Sequence, residues 1–354
     1  MIVVGAMMAA IWGMGWAMGA PRQARLLMLG LLLTAVVALH VVLPDGHPLR
    51  EATGREPAFW VLLVVLVALA WGYTQLLGRV RAEATRRQTP AAPPPAPPGT
   101  FSEAELGRYA RHITLREIGG PGQRALRDAR VLVVGAGGLG SPALLYLGAA
   151  GIGHLGVIDG DDVEASNLQR QVIHGEADLG RPKAQSAGDA VASLNPHISV
   201  RTYSRRLTPD IIDELLTGYD LILDGSDNWP TRDLLNRATV RAGKPLIAAA
   251  LTQWEGQISL YDPELGGPCY ACLFPEAPAP GLSPSCAEAG VAGPLPGVMG
   301  SLMALEAVKH LARAGETLRG RMLLFDGLHA EARVVTLEAR ADCPVCGGKG
   351  AGRG

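Results

Sequence analysis

The stretch Val131–Ser141, "VLVVGAGGLGS", decides the fold. An apolar run ends in Gly135, Gly137 and Gly140, spaced as G-x-G-x-x-G. Physically this is a buried strand turning sharply into a helix. Glycine permits the tight turn, and the helix N-terminus offers free N–H groups to an anion. "HLGVI", His154–Ile158, reads as a second buried strand, with Gly140–Ala150 as the helix between. Asp159 ends that strand, at the distance from Gly135 where a carboxylate suits ribose hydroxyls. The turn alone fits either a dinucleotide held for hydride transfer or ATP held for attack at its α-phosphate. A tight turn with no ligand is the bland alternative.

Strand and helix keep alternating downstream. A helix is expected near Lys183–Leu194, the strand "ISVRTYS", a helix near Asp210–Leu216 and the strand "YDLILD". "KPLIAAAL" and "GQISLYD" continue as strands, a long helix follows around Val298–Ala314, and "RMLLFDG" and "ARVVTLE" close the pattern. The alternation predicts an α/β fold with a doubly wound, mostly parallel, Rossmann-like sheet.

The residues after Asp159 bear on which phosphate sits at the turn. In "DGDDVEASNLQRQVIHGEADLGRPKAQSA", Asn167, Arg170 and Lys183 place an amide and two cations beyond the ribose position. ATP carries about four negative charges, and cations aimed at a triphosphate make sense where pyrophosphate must leave. The chain has no G-x-x-x-x-G-K-[ST] stretch, so the turn is not a P-loop. Taken singly, Arg170 and Lys183 also fit solvated surface charges. In "LDGSDNWPTR", Asp224 and Asp227 follow a strand at the carboxyl edge where such sheets bind ligands. A carboxylate there can hold Mg²⁺ against phosphates, or Asp227 or Asn228 can cap the next helix.

Five cysteines are too few for a disulfide framework. Cys269 and Cys272 form one C-x-x-C pair, Cys343 and Cys346 another, a pattern that suits zinc held by four thiolates. The long gap between Cys272 and Cys343 exceeds ordinary ribbon spacing, so buried thiols or a redox pair stay open. Cys286, in "PSCAEAG", is left over in a Pro/Gly/Ser loop. It reads either as a thiol able to attack an acyl-adenylate or as a small buried filler.

The mean hydropathy of +0.18 is high for a soluble enzyme, and the excess sits near the N-terminus. Ile2–Ala20, Leu26–Leu43 and Phe59–Leu77 contain no Asp, Glu, Lys or Arg. Each is long enough to span about 27–28 Å as helix, close to a hydrocarbon core of about 30 Å. A signal peptide or core helices would be the alternatives, but no positive region precedes Ile2 and no polar face is evident. Arg22 and Arg25 after segment one, and Arg79, Arg81, Arg86 and Arg87 after segment three, place everything beyond Leu77 on the cytoplasmic side of the cytoplasmic membrane. "TPAAPPPAPPGT", Thr89–Thr100, is a semi-extended tether. The expected organisation is a membrane anchor over 1–80, a Pro-rich linker over 81–100, the catalytic domain over 101–348 and a tail over 349–354. The net charge of −1 gives no footprint for nucleic acid.

"RYARHI", "GAGGLGS", "SNLQRQ", "GRPKA", "DGSDN", "CYAC", "EAGV", "GVMGSLMALEAVK" and "CPVC" occur here in one order. In this the chain resembles the MoeB/ThiF/HesA family, the ubiquitin-activating-enzyme-like adenylyltransferases of molybdopterin and thiamine biosynthesis. The resemblance runs over roughly Phe101 to Gly348. It implies an ATP-dependent nucleotidyltransferase that adenylates the C-terminal glycine of a ubiquitin-like sulfur-carrier protein. It implies that Gly135, Gly137, Gly138, Gly140 and Asp159 hold adenosine and ribose. Asn167, Arg170 and Lys183 would contact the phosphates, and Asp227 would support Mg²⁺ and catalysis. Arg111 would reach the triphosphate of the other subunit of a homodimer. The four paired cysteines would hold a structural Zn²⁺, and a cysteine near Cys286 recurs in the family. Typical members are soluble, so the anchor is a departure. With Gly354 following so soon after Cys346, the sulfur is expected from a separate donor protein. The expected activity is therefore adenylation of the carrier for molybdopterin synthase, with the thiamine carrier as the close alternative. A nucleotide-binding scaffold that only docks a partner is the reading of a different class.

Overall fold

The computed structural model describes residues 2–54, positions 58, 60–63, 65–66, 69 and 72–77, residues 100–279 and residues 289–347. The chain divides into two compact units, Met1–Pro95 and Ala96–Gly354. Residues 81–99 of the linker expected over 81–100, together with Cys286 and the tail expected over 349–354, lie outside the described residues.

In the first unit a helix runs over Ile2–Ala17 and a second over Arg22–Val42. The first has 16 residues, or about 24 Å, less than the span expected for Ile2–Ala20. It stops where Gly19 takes φ +68° and Pro21 follows, neither of which continues a helix. The second helix starts earlier than the sequence suggests, so Arg22 and Arg25 sit in its first turn rather than in a connecting loop. Arg25 lies over the Trp12 ring at 4.9 Å. Among the described residues, Arg22–Val42 is the one helix long and apolar enough to cross a membrane. The described positions of Phe59–Leu77 are helical, and the rest of that segment lies outside them. Val4, Val36 and Trp60 pack together with Met8, Leu33, Val37 and Leu63. Leu26, Leu27, Leu31, Val41 and Val42 stay exposed.

The second unit is built on one eight-stranded sheet. Its strands are β1 (Arg130–Val134), β2 (His154–Ile158), β3 (Ser199–Tyr203), β4 (Leu221–Asp224), β5 (Leu246–Leu251), β6 (Glu255–Tyr261), β7 (Arg321–Asp326) and β8 (Glu331–Thr336). Their order across the sheet is β3-β2-β1-β4-β5-β6-β7-β8. The first five are parallel, with Val131 level with Leu155 on one side and Leu221 on the other. The inner strand β1 feeds two cores. Val131 and Val133 join Leu144, Leu147, Met299 and Met303 on one face. Leu132 and Val134 join Ile212, Leu216, Tyr219 and Leu235 on the other. That double burial is why "VLVV" reads as a continuous apolar run rather than an alternating one.

β6, β7 and β8 run antiparallel to their neighbours, so the sheet is mixed, parallel over its first five strands and antiparallel beyond them, a change of direction that the alternating sequence pattern does not predict. Thr252–Trp254 joins β5 to β6, and Gly327–Ala330 joins β7 to β8. Parallel pairing needs a crossover of about a dozen residues, so these short links impose hairpins. The long helix runs over Pro294–Ala312, starting before Val298. Pro294 suits a first turn, where its missing N–H would be unpaired anyway.

Candidate nucleotide site and cysteine cluster

β1 delivers the glycine turn to the carboxyl edge of the sheet. Gly135 has φ +91°, and its N–H donates to the Ile158 carbonyl at 2.9 Å. A Cβ on Gly140 would lie 1.8 Å from the Gly135 carbonyl oxygen, so that glycine closes the turn on itself. Gly225, from "DGSDN", packs against the same turn: a Cβ on Gly135 would meet its carbonyl oxygen at 3.0 Å. Gly137 is different. A Cβ there would meet only the Gln171 Nε2, at 3.6 Å, so the turn is open at this point. The Gly140–Ala150 helix has no side-chain cap at its N-terminus. An open turn with an uncapped helix start is a cradle for an anion.

Asp159 braces this cradle. Its Oδ2 accepts from the Ala136 N–H and its Oδ1 from the Asp161 N–H, both at 2.8 Å. "SNLQRQ" folds over the turn: Gln171 faces Gly137, and the Arg170 Cγ would stand 3.8 Å from a Cβ on Gly138. Asn167 is buried, and its Oδ1 accepts from the Gln171 Nε2 at 2.7 Å. Among the described residues the buried Gln171 Oε1 has no hydrogen-bond partner. Such an orphan acceptor costs about 1–3 kcal/mol, which a ligand or water donor would recover. Arg170 holds the Ser166 carbonyl at 3.2 Å. Lys183 opens the Lys183–Leu194 helix, is buried along its stem, and points its Nζ at the Asp161 Oδ2, 3.3 Å away.

The two acids after β4 differ. Asp224 is fully buried, and its Oδ1 accepts from the Ser226 N–H at 2.9 Å and the Ser226 hydroxyl at 2.6 Å. Its Oδ2 faces Arg232 at 3.5 Å, and Arg232 also donates to the Ser226 carbonyl. Asp224 is thus a structural anchor of its loop. Asp227 is exposed, and among the described residues its carboxylate receives only the Asn228 amide, at 3.3 Å. Asn228 caps the Trp229–Ala242 helix by accepting from the Thr231 N–H at 3.0 Å. That leaves Asp227 the carboxylate with free lone pairs for a hard cation.

Arg111 sits exposed in the last turn of the Glu103–Ile113 helix. That helix is pinned by Tyr109, whose hydroxyl accepts from the Asn195 Nδ2 at 2.8 Å, and by His112, whose Nδ1 lies 3.1 Å from the Gln123 Oε1. Its N-terminus carries a reciprocal capping box between Ser102 and Glu105.

The sequence reading missed His174, Gln171, Asp161 and Arg232. A lone histidine or glutamine has no spacing to mark it, and the Asp224–Arg232 contact depends on how a loop meets a helix.

Cys269, Cys272, Cys343 and Cys346 come together, with all four sulfurs within 4.8 Å of one another. Sγ–Sγ distances are 3.8 Å for Cys269–Cys272, 3.6 Å for Cys269–Cys343 and 3.6 Å for Cys272–Cys346. Four thiolates about 2.3 Å from a zinc ion would be about 3.8 Å apart along each edge. The donor set therefore fits Zn²⁺. The cluster packs against Val240, Ala271, Ala339 and Val345, and the Asn236 Nδ2 lies 3.8 Å from the Cys269 sulfur. The hydrogen bond with Cys272, together with burial, pushes the Cys269 thiol up, while the same hydrogen bond holds Cys272 down to about 5. Sulfurs this close cannot all ionise without a cation among them.

The ThiF family profile matches residues 109–345. The chain is 50% identical over 251 residues to the sulfur carrier protein adenylyltransferase of Thermus thermophilus, covering 70% of this chain and 93% of that protein. It is 49% identical over 248 residues to the SAMP-activating enzyme E1 of Haloferax volcanii, covering 70% of this chain and 91% of that one. Against the probable adenylyltransferase/sulfurtransferase MoeZ of Mycobacterium tuberculosis it is 48% identical over 251 residues, covering 70% of this chain and 64% of MoeZ. Among solved structures, Escherichia coli MccB with ATP superposes with a TM-score of 0.58 at 21% identity, over 70% of this chain and 82% of that one. MccB with MccA-N7isoASN gives 0.60 at 23%, over 71% and 77%. These two likenesses concern the fold. The profile match and the near-complete coverage of the Thermus protein establish that the chain belongs to the ThiF family.

Proposed function

We propose that the protein adenylates the C-terminal glycine of a ubiquitin-like sulfur carrier with ATP. The observation that carries this is convergence: Arg170 and Gln171 of "SNLQRQ" and Gly225 of "DGSDN" meet the open turn of "GAGGLG", and Lys183 of "GRPKA" pairs with Asp161, whose N–H is held by the Asp159 that braces the turn. The names of the Thermus and Haloferax relatives point the same way.

ATP would lie with its phosphates over Gly137 and Gly138 and its ribose toward Asp159. A carboxylate oxygen of the carrier attacks the α-phosphorus, the bond to the bridging β-phosphate oxygen breaks, and pyrophosphate leaves as the acyl-adenylate forms. Arg170 and Lys183 neutralise the charge that grows on the leaving group. Asp227 would hold Mg²⁺, which supplies further charge neutralisation at the phosphates. The four cysteines would hold Zn²⁺ as a structural ion, because a closed tetrahedral set leaves no position for substrate.

The finer reading is that the carrier belongs to molybdopterin synthase, with the thiamine carrier as the alternative. Arg111, exposed on a pinned helix, supports a homodimer in which it serves the neighbouring subunit. Helix Arg22–Val42, with its exposed leucines and valines, supports a membrane anchor. The arginines of the sequence, by the positive-inside tendency, favour the cytoplasmic face for the catalytic unit. ATP–pyrophosphate exchange run with each candidate carrier tests the reading. Exchange dependent on one carrier identifies it, and no exchange with either refutes adenylation.

A further inference from the structure

His174 stands between two parts of the site and contacts both. Its Nε2 lies 3.0 Å from the Ala136 carbonyl oxygen, inside the glycine turn. Its Nδ1 lies 2.8 Å from the Ser186 Oγ. Ser186 is one turn along the helix that Lys183 opens. A carbonyl oxygen only accepts, so Nε2 carries the proton. In the neutral ring Nδ1 is then left to accept from the Ser186 hydroxyl. Burial is the main cause holding the His174 pKa below its usual value, and the charge on Lys183 adds to it.

The parts on either side are braced differently. The glycine turn keeps other ties: the Ala136 N–H to Asp159, the Ser141 hydroxyl to the Ala136 carbonyl at 3.3 Å, and the Gly135 N–H to Ile158. The first turn of the Lys183 helix is tied to the loop after β2, through the Lys183 N–H to the Asp161 carbonyl at 2.9 Å and the Asp162–Pro182 bridge. A more exposed chain of hydrogen bonds also joins that helix to the glycine turn, from Lys183 through Asp161 and Asp159 to the Ala136 N–H; among the described residues His174 is the bridge whose partners are all buried.

We propose that His174 is a positioning residue that sets Lys183 against the glycine turn, so that the lysine meets the triphosphate of a bound nucleotide. The inference rests on the adenylation reading for the role of Lys183. It concerns the β- and γ-phosphates only, because the turn that would hold the α-phosphate and ribose stands without it.

The test is calorimetric titration of the full chain in detergent with ATP and, separately, with AMP. The variants are H174A, H174Q, S186A, K183A and H174A/K183A. H174A and S186A should each weaken ATP binding about fivefold to tenfold, the scale of one lost buried hydrogen bond. AMP binding should shift less than about twofold. H174Q keeps an N–H for Ala136 but loses the acceptor for Ser186, so it should behave as S186A does. H174A/K183A should bind ATP no more weakly than K183A alone, since a residue acting through another is not additive with it. Equal losses for ATP and AMP would make His174 merely structural and overturn the proposal. Multiplying losses in the double variant would also overturn it, as would a wild type that binds ATP no more tightly than AMP. Should H174A not fold, S186A and H174Q decide the matter. Failure of the adenylation reading shows elsewhere, as a wild type without pyrophosphate exchange that still has the ATP-over-AMP pattern.

Discussion

Gly137→Ala and Gly140→Ala each add one methyl group to the same turn and should have opposite consequences. The φ of Gly137 is not positive, and an added Cβ would touch only Gln171, at 3.6 Å. Alanine there should leave the fold intact, or stabilise it by about 0.4–1 kcal/mol through a less flexible unfolded chain. The methyl group would stand in the opening where a phosphate must approach the backbone to about 2.9 Å. Losing one hydrogen bond to a charged group costs about 1.5–3 kcal/mol, or roughly 10- to 150-fold in ATP affinity. At Gly140 the added Cβ would sit 1.8 Å from the Gly135 carbonyl oxygen and 2.8 Å from its carbon. Backbone cannot yield as a side-chain end does, so this variant should lose more than about 3 kcal/mol of stability. Thermal unfolding and ATP calorimetry on the two proteins separate the effects. A Gly137→Ala protein that binds ATP like the wild type would refute the placement of phosphate at this turn.

The other expectations are shorter. Asp224→Ala should cost about 3–5 kcal/mol of stability because it strands buried Arg232, whereas Asp227→Ala should melt normally and lose pyrophosphate exchange. Arg170→Ala or Lys183→Ala should each lower kcat/KM by an amount equivalent to about 2–4 kcal/mol, read by exchange kinetics; wild-type turnover would remove them from the mechanism. Metal analysis should find about one zinc per chain, and Cys269→Ser or Cys343→Ser should lower the melting temperature along with zinc content. The full chain should stay with membranes in high salt, since apolar burial is not screened as charge attraction is. Release by salt alone would argue for a surface contact instead of an anchor.

The residue order itself determined the parallel core. β1, β2 and β4 are apolar on both faces, and only a strand between two helical layers needs that. The glycine turn was legible because its residues act through what they lack, a Cβ, and spacing alone reveals that. The cysteine pairs were legible as pairs, because C-x-x-C is local. That the two pairs meet, so far apart in the chain, goes with β6, β7 and β8 lying side by side, since one pair follows β6 and the other follows β8. Tertiary structure also decided what the acids do. Asp224 and Asp227 look alike in "LDGSDN", but burial beside Arg232 makes one an anchor and solvent leaves the other free. It decided the direction of the last three strands, β5–β6 and β7–β8 being hairpins whose links are too short to cross over. It cut the first apolar segment to a 16-residue helix, because backbone geometry at Gly19 and Pro21 overrode hydropathy. It alone revealed His174, because a bridge linking residues 136, 174 and 186 has no period, and only the packed chain brings Ala136 and Ser186 to 3.0 and 2.8 Å from the two ring nitrogens.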